Sequence, residues 1–212
     1  MATGRASILD QPMGTFSIET FTVPDPEPGT VLLRQELAGC CATDAHTYLG
    51  QWACEFPVTM GHENVGVIEA IGAGGARDFL GQELRLGDRV IARTTYCGAC
   101  YECRGARRTR NCLNQRVKYG FSGPQHAPFS GGYGEYLYLS SPLTTFMLKV
   151  TARPSVAVLH EPLAVAAHAV RKAQPRLGQT VVGAGQRRNW TLYAGVGAAG
   201  GGDSGDCRGR AG

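Results

Sequence analysis

Residues 97–112 read Cys97-Gly-Ala-Cys100-Tyr-Glu-Cys103, then eight further residues and Cys112. Four thiolates so close together in a polar loop suit one tetrahedral Zn²⁺ with no open position, which is the pattern of a structural site. The alternatives are incidental cysteines, or two disulfides in a secreted chain. Because three of these cysteines follow one another at steps of three, the sequence predicts a structural zinc. Its binding would fold the loop, since metal binding and ordering are coupled.

The composition excludes several classes of protein. The 212 residues are 43% hydrophobic and 18% charged, with a formal net charge of +4. A nucleic-acid-binding protein would normally have a broader basic face than this composition indicates. No stretch approaches the ~18–20 apolar residues of a membrane span, and residues 1–10 lack the pattern of a signal peptide. We therefore expect a cytoplasmic protein with no nucleic-acid or membrane partner, whose eight cysteines stay reduced.

Short strand-like segments between Gly and Pro turns fill the first part of the chain. Residues 31–37 alternate weakly in polarity, residues 67–71 are apolar, and residues 90–92 follow a Gly-Asp-Arg turn. Residues 131–139 alternate aromatic and small side chains and predict another strand. Many short strands between such turns argue for a β-barrel-like domain, to which we assign residues 1–153.

The pattern then becomes helical. Apolar residues recur with a helical period over 155–173, and Pro162 should break or restart that helix. We assign residues 154–182 to this linking helix and to a first parallel strand. Residues 183–212 hold ten of the thirty glycines and little periodic apolar content. Such a segment cannot bury enough surface to offset its ordering entropy, so we expect a disordered tail.

A second group of metal-ligand residues lies outside the cysteine loop. It combines Cys41, in the segment CATDAH, with His62 and Glu63, in the segment GHE. A catalytic zinc keeps one position open, so three protein ligands are expected. Cys41 and His62 are the first two candidates, and Glu63 and Glu161 are both candidates for the third.

The residues that follow Cys41 suit proton transfer. A zinc ion would bind the substrate oxygen as a Lewis acid and stabilise an alkoxide. The Thr43 hydroxyl could pass the alcohol proton onward, and His46 could carry it toward solvent. Asp44 could orient a metal ligand through hydrogen bonds. The alternative makes Thr43 and Asp44 turn residues and His46 an exposed loop residue.

Taken together, these motifs resemble the zinc-containing medium-chain alcohol dehydrogenases. The resemblance extends over roughly residues 15–182 and uses several independent motifs in the family's order. The matching segments are AGCCATDAH (38–46), GHENVG (61–66), GDRV (87–90), the cysteine loop (97–112), GGYGEY (131–136) and EPLA (161–164).

The resemblance implies a mixed α and β fold, with a GroES-like β-barrel catalytic domain joined to a Rossmann domain. It implies two Zn²⁺ ions, one catalytic and one structural, and hydride transfer between an alcohol or polyol and NAD or NADP. It also implies a homo-oligomer of unassigned size. By position, Cys41 and His62 resemble the catalytic ligands, Thr43 and His46 the proton relay, and Asp44 a residue behind the metal.

The third ligand stays open under the resemblance. Glu63 resembles a family glutamate that can approach the zinc. Glu161 falls where alcohol dehydrogenases place a cysteine ligand, and a Glu followed by Pro-Leu there is more like the polyol and sugar dehydrogenases. This tilts the expected substrate toward polyols or secondary alcohols.

The cofactor-binding motif is incomplete. Gly183 and Gly185 stand where a G-x-G-x-x-G motif would begin, but Arg188 replaces its third glycine and no amphipathic helix follows. We therefore expect only the start of a Rossmann domain, in a truncated or frameshifted gene product. Two functions remain open: a zinc-dependent NAD(P) alcohol or polyol dehydrogenase, and a catalytically inactive zinc-binding remnant.

Overall fold

The described part of the chain holds eleven strands and four helices. In this computed structural model the described residues are 1–94, 99–108, 111–114, 119–125, 128–139 and 145–174. The chain divides into two compact units, Met1–Val158 and Leu159–Gly212. The strands are β1 (Thr3–Leu9), β2 (Phe16–Thr22), β3 (Val31–Gly39), β4 (Val58–Met60), β5 (Glu63–Ile71), β6 (Ala76–Arg77), β7 (Glu83–Leu84), β8 (Arg89–Thr94), β9 (Phe121–Ser122), β10 (Tyr136–Leu139) and β11 (Thr145–Lys149). The helices are α1 (Ala42–Tyr48), α2 (Tyr101–Arg104), α3 (Pro154–Ala157) and α4 (His160–Ala173).

Two larger sheets and one short hairpin form the first unit, with every strand pair antiparallel. The first sheet has the order β2-β1-β4-β9, and the second has the order β10-β3-β5-β8-β11. Strands β6 and β7 pair with each other as a two-stranded sheet. In β1, Ala6 and Ile8 are buried while Arg5 is exposed, which is the period of two that a half-buried strand requires.

Strand β3 is buried on both faces and joins the two halves of the core. Val31 and Leu33 pack with Ile68 of β5 in one apolar cluster. Leu32 points the other way and packs with Ile8 in a second cluster. Because successive side chains of a strand point to opposite faces, one strand can serve two layers. These β-sheets and the helices after residue 153 confirm the predicted mixed α and β fold.

The predicted strand over residues 131–139 begins later than expected. Strand β10 starts only at Tyr136. Before it, the chain crosses the end of β4, where the Gly132 N–H donates to the Gly61 carbonyl and the Tyr133 N–H donates to the Met60 carbonyl. Glycine-rich backbone permits this close crossing, so tertiary contacts replace the expected strand pairing.

The helix expected over 155–173 is divided in two. Helix α3 begins with Pro154 at its first turn, and α4 restarts at His160. Pro162 lies in the first turn of α4, where its missing N–H leaves no helical hydrogen bond unmade. The prediction that the helix restarts near Pro162 is thus confirmed. The predicted strand over 178–182 and the predicted disordered tail lie outside the described residues. No helix in the described part of the chain has the length and apolar character needed to span a bilayer.

Candidate metal centres

Cys41 begins helix α1 and caps it. Its backbone is extended, its sulfur accepts a hydrogen bond from the Thr43 N–H at 3.2 Å, and its own N–H donates to Asp44 Oδ2 at 2.9 Å. This reciprocal pair forms a capping box, which satisfies N–H groups that a helix start otherwise leaves open. The segment CATDAH is therefore ordered by its own residues, and it holds the Cys41 sulfur at a helix N-terminus.

His62 and Glu63 meet Cys41 from the start of β5. Donor atoms of Cys41, His62 and Glu63 all lie within 4.8 Å of one another, and Cys41 Sγ is 3.2 Å from His62 Nε2. In a tetrahedral zinc site, bond lengths of about 2.3 Å to sulfur and about 2.0 Å to nitrogen place these donors about 3.5 Å apart. The donor set of thiolate, imidazole and carboxylate suits Zn²⁺, and the observed spacing needs only a small adjustment to hold the ion.

Gly39 leaves the space that the Glu63 carboxylate occupies. The two residues face each other across the β3–β5 pairing. A Cβ atom on Gly39 would collide with Glu63 Oε2 and would come within 2.9 Å of Glu63 Cβ. Glu63 is 3% exposed, and a buried carboxylate requires a compensating partner. A glycine at this position of β3 therefore makes room for the Glu63 carboxylate, which lies beside Cys41 and His62.

Asp44 connects the helix cap to His62. One carboxylate oxygen caps the Cys41 N–H, and the other, Oδ1, lies 3.5 Å from His62 Nδ1. Burial raises the pKa of Asp44, but the hydrogen bonds with His62 and the Cys41 N–H outweigh burial, so the pKa lies below its ordinary value. A carboxylate behind the ring orients an imidazole so that its other nitrogen faces the metal. This geometry suits the predicted role of Asp44 behind the metal.

His62 and Cys41 shift each other's pKa in opposite directions. Burial lowers the pKa of His62, but the hydrogen bonds with Asp44 and Cys41 raise it to about 10. Burial raises the pKa of the Cys41 thiol, but the hydrogen bonds with His62 and Thr43 bring it below its ordinary value. A metal ligand must be a deprotonated thiol or a neutral imidazole, so binding of a metal at this pair would release protons.

Thr43 and His46 lie on one face of α1, one helical turn apart. The half-buried Thr43 contacts Cys41 through its backbone N–H and its hydroxyl. His46 is exposed, and its Nδ1 lies 2.6 Å from Gln51 Oε1. The structure thus places the two predicted relay residues on the helix that Cys41 caps. Gln51 was not among the predicted site residues.

Aromatic side chains that were not predicted as site residues lie near the donor cluster. The rings of His62 and Phe121 are 5.1 Å apart, and those of Phe121 and Trp52 are 6.0 Å apart. The Tyr133 hydroxyl donates to the Gly39 carbonyl at 3.4 Å. Burial raises the pKa of Tyr133, and its contacts with Cys40 and Asp44 raise it further, so the hydroxyl stays protonated. These residues come from separate segments of the chain, and no local pattern in the sequence connects them.

The cysteine loop forms a second cluster. Cys100 begins helix α2, and its sulfur lies 3.4 Å from the sulfur of Cys103. Donor atoms of Cys100, Cys103 and Cys112 lie within 4.8 Å of one another. Sulfur atoms around a tetrahedral zinc are about 3.8 Å apart, so these three thiols suit a closed zinc site. None of the described cysteines forms a disulfide. The fourth predicted ligand, Cys97, lies outside the described residues.

Three further predicted site residues remain, Glu161, Gly183 and Gly185. Glu161 is in the first turn of α4, in the second unit of the chain. Its role as a third zinc ligand therefore remains a prediction. Gly183 and Gly185, the candidates for cofactor binding, lie outside the described residues.

The fold, with its two clusters of candidate metal ligands, is that of the medium-chain dehydrogenase type. Residues 27–149 match the family described as "Alcohol dehydrogenase GroES-like domain". This chain belongs to that family, and its GroES-like fold is confirmed.

Individual relatives and solved structures agree with this assignment. The chain is 32% identical over 143 residues to 5-exo-hydroxycamphor dehydrogenase of Pseudomonas putida, covering 65% of this chain and 38% of the relative. It is 30% identical over 171 residues to sorbitol dehydrogenase of Halalkalibacterium halodurans, covering 80% and 46%. The chain thus spans about half the length, or less, of the curated relatives it matches.

Among solved structures, an alcohol dehydrogenase from Thermotoga maritima superposes with a TM-score of 0.83 at 26% identity, covering 96% of this chain and 57% of that one. A zinc-binding dehydrogenase from Sinorhizobium meliloti, solved with bound NADP, gives a TM-score of 0.65 at 29% identity, covering 81% and 46%.

Proposed function

We propose that this chain forms the substrate- and zinc-binding part of a zinc-dependent dehydrogenase that transfers hydride between an alcohol or polyol and NAD or NADP. The observation that carries the proposal is the meeting of Cys41, His62 and Glu63 within 4.8 Å, at the N-terminus of a helix that also carries Thr43 and His46. A structural zinc needs no such neighbours, whereas an alcohol that loses a proton needs a hydroxyl and a base nearby.

Cys41, His62 and Glu63 would hold the catalytic ion. When bound, the ion would supply Lewis-acid chemistry that lowers the pKa of an alcohol substrate. Asp44 would hold the His62 ring in place, with its Oδ1 at 3.5 Å from His62 Nδ1. Between the two candidates for the third ligand, the described contacts favour Glu63, whose carboxylate already lies in the donor cluster.

Two residues of α1 would transfer the alcohol proton to solvent. The Thr43 hydroxyl, which contacts the Cys41 sulfur, would accept the alcohol proton as it passes its own proton on. His46, exposed one turn later, would take up that proton and release it to water. The rings of Trp52 and Phe121 would exclude water from the His62 side of the site.

Cys100, Cys103 and Cys112, with Cys97, would hold the second zinc. Four thiolates would leave no open position on that ion, so we assign it a folding role. The named activity of one relative, a sorbitol dehydrogenase, agrees with a polyol or secondary alcohol as the substrate class. The NADP in one related structure agrees with a nicotinamide as the hydride acceptor.

The test is oxidation of secondary alcohols and polyols by the zinc-loaded full chain with NAD⁺ or NADP⁺, followed by nicotinamide fluorescence. We expect turnover of at least one substrate, and its loss in Cys41→Ser. Cys54→Ala is the matched control, because Cys54 packs in an apolar cluster outside both groups of ligands. If zinc is bound but neither NADH nor NADPH binds, the proposal fails, and the chain is the inactive zinc-binding remnant.

A further inference from the structure

Helix α1 ends in a hydrogen-bonded motif that brings the following residues next to His46. Leu49 is its C-cap residue, and Gly50 follows with a φ of 69°. The Gly50 N–H donates to the Thr47 carbonyl at 3.0 Å, and the Gln51 N–H donates to the His46 carbonyl at 2.8 Å. These two bonds make a Schellman motif, which requires a residue with positive φ and is therefore usually built on glycine.

This motif fixes the position of the Gln51 side chain. With its backbone held at the His46 carbonyl, Gln51 places Oε1 at 2.6 Å from His46 Nδ1. An amide oxygen only accepts hydrogen bonds, so Nδ1 must carry the proton of the neutral ring, and Nε2 is left with a lone pair. We infer that Gln51 is a positioning residue that fixes the tautomer of His46, with the proton on Nδ1 and Nε2 as the acceptor.

The role of this tautomer in catalysis rests on the proposed function. A relay histidine must present an unprotonated nitrogen to the incoming proton. His46 takes the proton on Nε2, becomes an imidazolium that carries one proton on each nitrogen, and returns to neutral when it gives one proton to water. Without Gln51, the neutral ring divides between two tautomers, and the one with its proton on Nε2 cannot accept there.

The opposite orientation of the Gln51 amide would place the His46 ring proton on the other nitrogen. If the Gln51 amide is turned over, its NH₂ group donates to Nδ1, and the ring proton then lies on Nε2. The two geometries respond differently to Gln51→Glu. A carboxylate can only accept, so this variant keeps the proton on Nδ1 if the inferred geometry is correct, and it switches the tautomer if the amide is turned over.

The experiment is ¹⁵N NMR of the histidine rings in the zinc-loaded full chain, at a pH where His46 is neutral. His46→Asn identifies its signals among those of the five histidines. We expect Nδ1 to be protonated in the unchanged chain and in Gln51→Glu. In Gln51→Leu, which has no acceptor, the tautomer ratio should shift toward protonated Nε2 by roughly three- to tenfold, the effect of one hydrogen bond.

Two results would overturn the inference. One is a ring of the unchanged chain that carries its proton mainly on Nε2, and the other is a ratio that Gln51→Leu leaves unchanged. Neither readout needs substrate or cofactor. A chain that proves inactive would therefore refute the proposed function without affecting the tautomer result, and the two failures are distinguishable.

Discussion

Asp44 Oδ1 lies 3.5 Å from His62 Nδ1, while Oδ2 of the same carboxylate caps helix α1 at the Cys41 N–H. One side chain, 3% exposed, thus ties together the two segments that supply the donor cluster. One oxygen of Asp44 caps helix α1, and the other lies where it can orient the His62 ring.

Asp44→Asn should weaken metal binding at this centre. The amide keeps most of the side chain's shape but removes the charge behind His62, and loss of such a partner lowers metal affinity by roughly 10- to 100-fold. Competition with a chromophoric chelator measures the affinity. The cysteine cluster serves as the internal control and should keep its metal; equal affinity in the variant and the unchanged chain would exclude the orienting role of Asp44.

Cys103→Ser should remove the second zinc and lower stability. Cys103 is 9% exposed, and its sulfur lies 3.4 Å from that of Cys100, so its loss breaks the site and frees the loop. We expect the melting temperature to fall by at least roughly 5 °C, with the metal content lower by one ion per chain. Cys54→Ala should keep all of its metal. A Cys103→Ser chain with undiminished metal content would contradict a zinc role for the loop.

Glu36→Gln should reduce stability at neutral pH but not in acid. The hydrogen bonds from Arg89 hold the pKa of Glu36 below its ordinary value, although burial opposes this. A carboxyl with a depressed pKa in the folded state contributes stability above its unfolded pKa, and that contribution is lost as the pH falls through its folded pKa. Urea melts of the variant and the unchanged chain should therefore differ at pH 7 and converge as the pH falls through the lowered pKa of Glu36.

The control for this prediction is Glu69→Gln. Glu69 also pairs with an arginine, Arg34, at 3.3 Å, but the side chains are 46% and 54% exposed, whereas those of Glu36 and Arg89 are 20% and 27% exposed. Exposed pairs contribute little to stability, so this variant should follow the unchanged chain at every pH. If the two variants behave alike, the Glu36–Arg89 pair has no special role.

Leu33→Ala should destabilise the first unit strongly. Leu33 is 0% exposed and lies in the larger apolar cluster of β3. Truncation of a buried leucine costs about 2–5 kcal/mol, because it combines lost burial with a cavity. Leu37→Ala, in the same strand but 40% exposed, should cost less than about 1 kcal/mol. Urea denaturation measures both, and equal losses would mean that β3 does not join the two layers of the core.

Local patterns in the sequence predicted the features that depend on local chemistry. The alternation in residues 31–37 belongs to β3 of the structure, and the helical period at 155–173 belongs to α3 and α4. Cys41, His62 and Glu63 were grouped by ligand type, and the structure brings their donors together. The role of these residues in zinc binding stays a proposal.

Local sequence patterns could not predict the contacts between distant segments. The strand expected from residue 131 begins only at Tyr136, because the chain just before it forms hydrogen bonds with Gly61 and Met60. An alternating pattern in the sequence does not predict such contacts. Tyr133, Phe121 and Trp52 reach the site only through the fold. Gln51 is different: a glycine directly after an amphipathic helical segment is a known stop signal, and a Schellman motif built on Gly50 would have placed Gln51 beside His46.

Replacement of zinc by Co²⁺ tests the metal centre at Cys41 directly, with metal content and visible absorption measured for the full chain and for Cys41→Ser. We expect about two ions per chain, one in a sulfur-rich site and one in a mixed site. In Cys41→Ser, the mixed-site thiolate band should disappear while the sulfur-rich spectrum remains. If Cys41→Ser leaves both the metal content and the spectrum unchanged, the meeting of Cys41, His62 and Glu63 is not a metal centre, and the proposed dehydrogenase chemistry loses its basis.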